Sequence, residues 1–277
     1  MCDQNTAAGQ SSPAFDPNAV APQWQHAQLP ALRREEVLID TPDGKADAYL
    51  VSPAEGRWPA VLMWPDIAGL RTAKRMMADR LAAQGYTVLL VNIYYREGVA
   101  PLYQQFTDWM NNKDSAWPMV ARIKPEGVAA DTVAYVNFLD QHAATDTTKP
   151  VSTFGYCLGA SYAVRAAAAR ADRIAAAVSY HGAFLVTPQS TSPDKLIAHS
   201  KAAFHFAIGE DDDQQNPEEK NTLKLRAQEA GVQADVQVYP AKHGWCVIDM
   251  PYYDDAQAEL AWQKMLTLFQ QQSQSTL

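Results

Sequence analysis

The hydrophobic and polar positions along the chain change period in a regular order. "EEVLIDT" (35–41) and "ADAYLVS" (46–52) flank "PDG", which predicts two antiparallel strands joined by a turn. "WPAVLMWPD" (58–66) is a short continuous apolar run, the mark of a strand buried on both faces. "TAKRMMADRLAAQG" (72–85) then shows helical periodicity with a glycine stop, and "YTVLLVNIYY" (86–95) is the next buried strand. The pattern repeats through helix "EGVAADTVAYVNFLDQH" (126–142), strand "PVSTFGY" (150–156), a helix after Cys157 and strand "IAAAVSYHG" (174–182). Strand "AAFHFAIGE" (202–210), helix "NPEEKNTLKLRAQEAG" (216–231), strand "ADVQVYP" (234–240) and a helix from about Asp254 to Phe269 complete it.

Strands alternating with helices predict a mostly parallel central sheet with helices on both faces. One α/β domain over residues 33–272 accounts for the whole order, preceded by a polar, flexible tail over 1–32. The longest connection, Arg96 to Pro125, carries "PLYQQFTDWMNNKDSAWPMV" and is rich in aromatics for a loop. It reads equally as a satellite apolar cluster and as a wall of a substrate pocket.

Composition narrows the function. The 277 residues carry a net charge of −8 and no basic run, which excludes a nucleic-acid partner and leaves a small molecule as the default. No run approaches a membrane span, and the first thirty residues lack the Lys or Arg and the apolar core of a secretory signal. The three cysteines, Cys2, Cys157 and Cys246, are far apart without metal spacing, neither a disulfide framework nor a zinc site. That usage points to a reducing cytoplasm. No dinucleotide fingerprint follows any strand, and nothing sets an oligomeric state.

One of the three cysteines stands in "FGYCLGASYAVRAAAARA" (154–171), between a predicted strand and a predicted helix. A buried thiol is a small hydrophobe that fills a core well. Yet Gly155-Tyr156-Cys157-Leu158-Gly159 has the glycine spacing of a nucleophile elbow, where flanking side chains would collide with neighbouring elements. The helix N-terminus beside the sulfur favours a thiolate. In that architecture an acid and then a histidine follow the nucleophile in chain order. "FAIGEDDD" and "YPAKHGWCV" supply both at strand ends, with His243 as the base. Of the six histidines only His181, in "SYHG", competes with it. The residues alone do not choose among Asp211, Asp212 and Asp213.

These motifs together, "GYCLGA", "GEDD", "KHGWCV" and "WPDIAGL", make the chain from about Arg34 to Phe269 resemble the dienelactone hydrolase family of α/β-hydrolases. The resemblance implies a lactone or carboxylic ester hydrolase with a Cys157–His243–Asp212 triad, the family pattern Gly-x-x-Asp selecting Asp212. It implies Asp66 as an accessory acid that helps ionise the thiol, and the backbone N–H groups of Ile67 and Leu158 as an oxyanion hole. Arg96, Tyr94 and Trp245 are the substrate-binding candidates. No metal and no other cofactor is implied.

Two positions depart from the family. Asp66 stands where the family has glutamate, and Val247 stands where dienelactone-processing members have a second arginine. The loss of that arginine weakens a carboxylate clamp and favours a larger, more apolar ester or lactone. A general carboxylesterase or thioesterase fits the same residues. A thiol redox sensor would need Cys157 without His243 or Asp212. Cys246, three residues after His243, is the candidate disulfide partner of Cys157 if their Cα atoms lie within about 7 Å.

Overall fold

The computed structural model describes Asp16 and residues 30–274. Most of the expected 1–32 tail lies outside the described residues, and the first strand already begins at Leu32. Eight strands form one sheet: β1 (Leu32–Thr41), β2 (Gly44–Pro53), β3 (Ala60–Trp64), β4 (Thr87–Val91), β5 (Val151–Tyr156), β6 (Ile174–Tyr180), β7 (Ala203–Gly209) and β8 (Ala234–Tyr239). Their order is β1-β2-β4-β3-β5-β6-β7-β8. β1 pairs antiparallel with β2, and β2 with β4, while every pair from β4 to β8 is parallel.

This is the predicted hairpin attached to a parallel, doubly covered sheet. β3 and β4, "AVLMW" and "TVLLV", are buried at every position, as their continuous apolar runs require. The two-residue period sends alternate side chains to opposite layers. Leu62 and Leu89 join the layer of helices α4 (Pro125–Gln141), α5 (Leu158–Ala169) and α8 (Glu219–Ala230). Val61, Met63, Val88 and Leu90 join that of α1 (Thr72–Ala82) and α9 (Asp255–Ser273). Local signals fix several ends: Pro125 opens α4, Gly231 closes α8 in the left-handed region at φ 67°, and Asp254 caps α9 by accepting from Gln257 N–H.

Two differences from the sequence expectation matter. The Arg96–Pro125 connection is not a plain loop, because it folds into α2 (Phe106–Asn111) and α3 (Lys113–Arg122). Trp109 of α2 is fully buried, stacks on Phe106 and meets Trp117 edge-on. The acidic run after β7 is helical too, forming α7 (Glu210–Gln215) beyond the short α6 (Pro193–Leu196). Four acids at a helix N-terminus are favoured by its dipole.

The turn from β5 into α5 is held by close backbone approach. A Cβ on Gly155 would collide with the Gly159 carbonyl and stand 2.8 Å from Ala160 N. A Cβ on Gly159 would fall on the Pro65 carbonyl oxygen and 2.8 Å from that of Trp64. Both obstacles are backbone, which has little room to give. Gly159→Ala is therefore expected to lower stability by about 3 kcal/mol or more, read as a shift of the urea midpoint. An unchanged midpoint contradicts this packing.

Candidate active site

Cys157 occupies the turn with φ 52° and ψ −115°, a region that L side chains rarely adopt. The surroundings over-determine it. Its N–H donates to the Tyr180 carbonyl at 3.0 Å, and its own carbonyl accepts from Ala160 and Ala183. This is the strained strand-to-helix turn that the Gly-x-Cys-x-Gly spacing predicts. Cys157 is almost fully buried at the start of α5.

The loop after β7 and the loop after β8 converge on the turn. His243 Nδ1 stands 2.9 Å from both oxygens of Asp212. That contact leaves Nε2 facing the other way. A ring nitrogen of His243, a ring nitrogen of His181 and Cys157 Sγ lie within 4.8 Å of one another. The acid run divides its work: Asp211 accepts from the backbone N–H of His243 at 2.8 Å and of Asp212 at 3.0 Å. Asp213 pairs with Lys220. Asp211 thus anchors the loop whose imidazole Asp212 orients, a role that the sequence signals only as an undivided run of acids.

His181 is the second residue that sequence reasoning set aside. It follows β6 with φ 39°, fully buried, its ring 4.6 Å from that of His243 and edge-on to Trp245. Burial pushes its pKa well below the usual histidine value, and the neighbouring His243 adds to the shift.

Asp66 sits on the loop after β3, as expected, but its oxygens are committed elsewhere. Arg71 grips it through two hydrogen bonds of 2.8 and 3.0 Å, Lys74 Nζ stands 2.8 Å away, and Ala68 N–H donates to it at 2.9 Å. Arg71 turns its other edge to Asp249 at 2.6 and 2.7 Å, and Lys74 lies 3.7 Å over the Tyr156 ring. All four charged side chains are completely buried. Burial alone would raise the Asp66 pKa, and Arg71 with Lys74 outweigh it, holding the carboxyl well below the usual carboxylate range. A carboxylate so stabilised is a poor proton acceptor. These contacts tie the Asp66 loop to Arg71 and Lys74 of the following helix start.

The remaining candidates divide. Tyr94 is buried, and its hydroxyl donates to the Ile67 carbonyl at 2.7 Å, so it supports the Ile67 loop and is not open to substrate. Leu158, the first residue of α5, has an N–H with no intrahelical acceptor. Trp245 is fully buried, stacked on Tyr239 behind His181, and makes no pocket wall. Arg96 is bound by Asp131 through two contacts of 2.9 Å and by Asp43 at 2.7 and 3.0 Å. Those two carboxylates occupy the guanidinium expected to clamp a substrate. Val247 is completely buried, with no room for an arginine. Neither Cys157 nor Cys246 is in a disulfide, and burial pushes the Cys246 thiol up, toward the inert form. A groove of about 450 Å³ opens beside Asp212, lined by Ala183, Phe184, Val186, Pro188 and Glu219 among others.

Fold and strained cysteine turn together define an α/β-hydrolase. The sequence profile of the dienelactone hydrolase family matches residues 46–273, and the chain belongs to that family. It is accordingly a hydrolase of lactone and ester bonds. A provisionally assigned carboxymethylenebutenolidase of Yersinia pestis is 25% identical over 255 residues, covering 87% of this chain and 90% of its own. The crystal structure of a provisionally assigned dienelactone hydrolase of Klebsiella pneumoniae superposes with a TM-score of 0.75 at 23% identity, covering 87% of this chain and 99% of its own. A dienelactone hydrolase-like promiscuous phosphotriesterase from metagenomic libraries gives 0.70 at 17% identity with the same coverage of both. Among the described residues no helix is long and apolar enough to cross a membrane.

The buried ion cluster has a measurable consequence. Asp66→Asn leaves Arg71 and Lys74 under-compensated in a dry site and is expected to cost about 3–5 kcal/mol. Because the folded pKa of Asp66 is depressed, its contribution is complete above the unfolded value of about 3.9 and is lost as pH falls below it. Urea midpoints from pH 7 to 2 should fall more steeply in the wild type than in Asp66→Asn below about pH 4. Parallel curves contradict the assignment.

Proposed function

We propose that the chain hydrolyses lactones or carboxylic esters by covalent catalysis through a Cys157–His243–Asp212 triad. The observation that carries this reading is the strained cysteine turn facing an imidazole whose far nitrogen is 2.9 Å from a carboxylate. A thiolate is the nucleophilic form of cysteine, and a neighbouring imidazole makes it available.

Cys157 Sγ attacks the substrate carbonyl carbon while the thiol proton passes to His243 Nε2. Asp212 holds the tautomer with Nδ1–H pointing at itself and stabilises the imidazolium that forms. The N–H groups of Ile67 and Leu158 receive the negative charge on the carbonyl oxygen. Tyr94 keeps the first of these in place through the Ile67 carbonyl. His243 then gives its proton to the departing alkoxide oxygen, which in a lactone stays on the acyl chain. Water, deprotonated by His243, attacks the thioester and releases the acid, and the thiol is restored. No step calls on Asp66.

The substrate class follows from the charges around the site. Arg96 is neutralised by two carboxylates, Val247 stands in the core, and the groove beside Asp212 includes Glu218 and Glu219. Burial, with Asp212 close by, raises Glu219 to about 7. That is the surrounding of a neutral ester or lactone, not of a carboxylate-bearing one. Reactivity as a thioesterase remains compatible with the same residues.

Cys157→Ala and His243→Ala should each lower kcat/KM on aryl esters at least about a thousandfold while melting near the wild type, and the double variant should be little worse than either. Near-normal turnover in either single variant would overturn the triad. In the wild type, neutral lactones should be hydrolysed about tenfold or more faster than analogues carrying a carboxylate, since the latter meet acids without a cation. Arg96→Gln should leave that ratio unchanged. A preference for the anionic analogue that disappears in Arg96→Gln would restore the clamp.

A further inference from the structure

His181 is a buried polar side chain without an assigned task. It is completely excluded from solvent, and among the described residues neither ring nitrogen has a hydrogen-bond partner. Buried polar groups are almost always satisfied, and an exception calls for an ion, a water or a chemical role. Its backbone is held at φ 39° by its own N–H donating to Ala207 at 2.8 Å, and a Cβ on the following Gly182 would crowd Ser179 Oγ and Leu185. The fold therefore spends strain to keep this imidazole where it is.

One of its nitrogens belongs to a cluster with Cys157 Sγ and a ring nitrogen of His243, all within 4.8 Å of one another. One sulfur and two imidazoles form a soft, borderline donor set suited to Zn²⁺ and its neighbours. We propose that Cys157, His181 and His243 bind a thiophilic divalent cation such as Zn²⁺, and that its binding reversibly stops hydrolysis. Binding replaces the thiol proton with the metal and releases that proton to solvent. The ion would then hold both the sulfur lone pair that attacks and the nitrogen that takes its proton.

Three further features fit a metal. A tetrahedral ion with Zn–S of about 2.3 Å and Zn–N of about 2.0–2.1 Å spaces its ligand atoms about 3.3–3.6 Å apart, so the three side chains, within 4.8 Å of one another, need close by no more than about 1.5 Å. Asp212, 2.9 Å from His243 Nδ1, gives the carboxylate–histidine arrangement that orients a metal-binding imidazole through its other nitrogen. The ring of His181 lies 4.6 Å from that of His243, close enough for one ion to bridge the two imidazoles. The buried cation Lys74 has Asp66 at 2.8 Å to offset it. With three protein ligands, a fourth position is left for water.

The test uses metal alone and does not depend on the substrate. Co²⁺ added to the wild-type protein should produce a thiolate-to-cobalt charge-transfer band, absent after Cys157 is alkylated. Zn²⁺ near the protein concentration should stop ester hydrolysis, and a chelator should restore it. His181→Gln, assayed in chelator, should hydrolyse within a few-fold of the wild type yet need about tenfold or more Zn²⁺ for half-inhibition. X-ray absorption of the wild-type Zn²⁺ adduct should show one sulfur and two imidazoles, a readout that stands even if His181→Gln fails to fold. An unchanged half-inhibition concentration in His181→Gln, cobalt bound without the thiolate band, or a single imidazole on zinc would each overturn the proposal. Activity that is lost in chelator and returns with Zn²⁺ would also overturn it, whereas a wild-type protein that hydrolyses no ester with or without chelator would count against the triad and leave the cobalt band untouched.

Discussion

The rest of the structure depends on how closely two pieces of backbone approach at the β5–α5 turn. Gly159 lies against the carbonyls of Trp64 and Pro65, and Gly155 lies against Gly159 itself. That contact fixes the start of α5 against the end of β3, and it forces Cys157 between them into its left-handed conformation. Neighbouring parallel strands then deliver the other groups at their carboxyl ends. β6 leads into His181, β7 leads into Asp211 and Asp212, and β8 leads into the loop of His243. A side chain at either glycine would push Cys157 off all of these at once.

The loop after β3 is held by a different kind of force. Four buried charges, Asp66, Arg71, Lys74 and Asp249, balance to zero and face one another in ion pairs of 2.6 and 2.8 Å. Such clusters add little net stability, because desolvation offsets most of the Coulombic gain, but breaking one leaves a bare charge in a dry interior. Their effect here is positional. Arg71 ties the Asp66 loop to Asp249, and Asp249 in turn accepts from Phe106 N–H at the start of α2. Tyr94 completes the fixation from the side by bonding the Ile67 carbonyl. The position of the Ile67 loop is thus set by buried charges and a tyrosine hydroxyl.

The alternating elements, the hairpin and the cysteine turn were legible because each has a local cause: a run buried on both faces, a glycine pair, a turn dipeptide. So was the meeting of the acidic run with His243, since strand order in a parallel sheet brings successive carboxyl ends together, while the choice of Asp212 within that run came from the family pattern. What the sequence hid was tertiary. Lys74 and Arg71 sit on or beside a helix whose charged positions read as its wet face, and only the fold reveals that Asp66 and Asp249 bury them. Arg96 matched a family position, but its partners Asp43 and Asp131 come from remote segments. α2 and α3 escaped notice because Asn111, Asn112 and Pro118 interrupt the helical signal, while Trp109 and Phe106 make their contribution by packing. His181 stood out in the sequence as the one competitor to His243, but its complete burial, with no hydrogen-bond partner for either ring nitrogen among the described residues, is a product of tertiary packing.

The central claim is that Cys157 carries the acyl group. Rapid quenching of the wild-type protein with an activated aryl ester, followed by intact-mass and peptide mass spectrometry, tests it directly. The account predicts a transient mass increase equal to the acyl group, confined to the peptide that contains Cys157 and lengthened in lifetime by His243→Ala if any acylation survives. Turnover with no acylated species at any quench time, or an adduct on another residue that is kinetically competent, would contradict it.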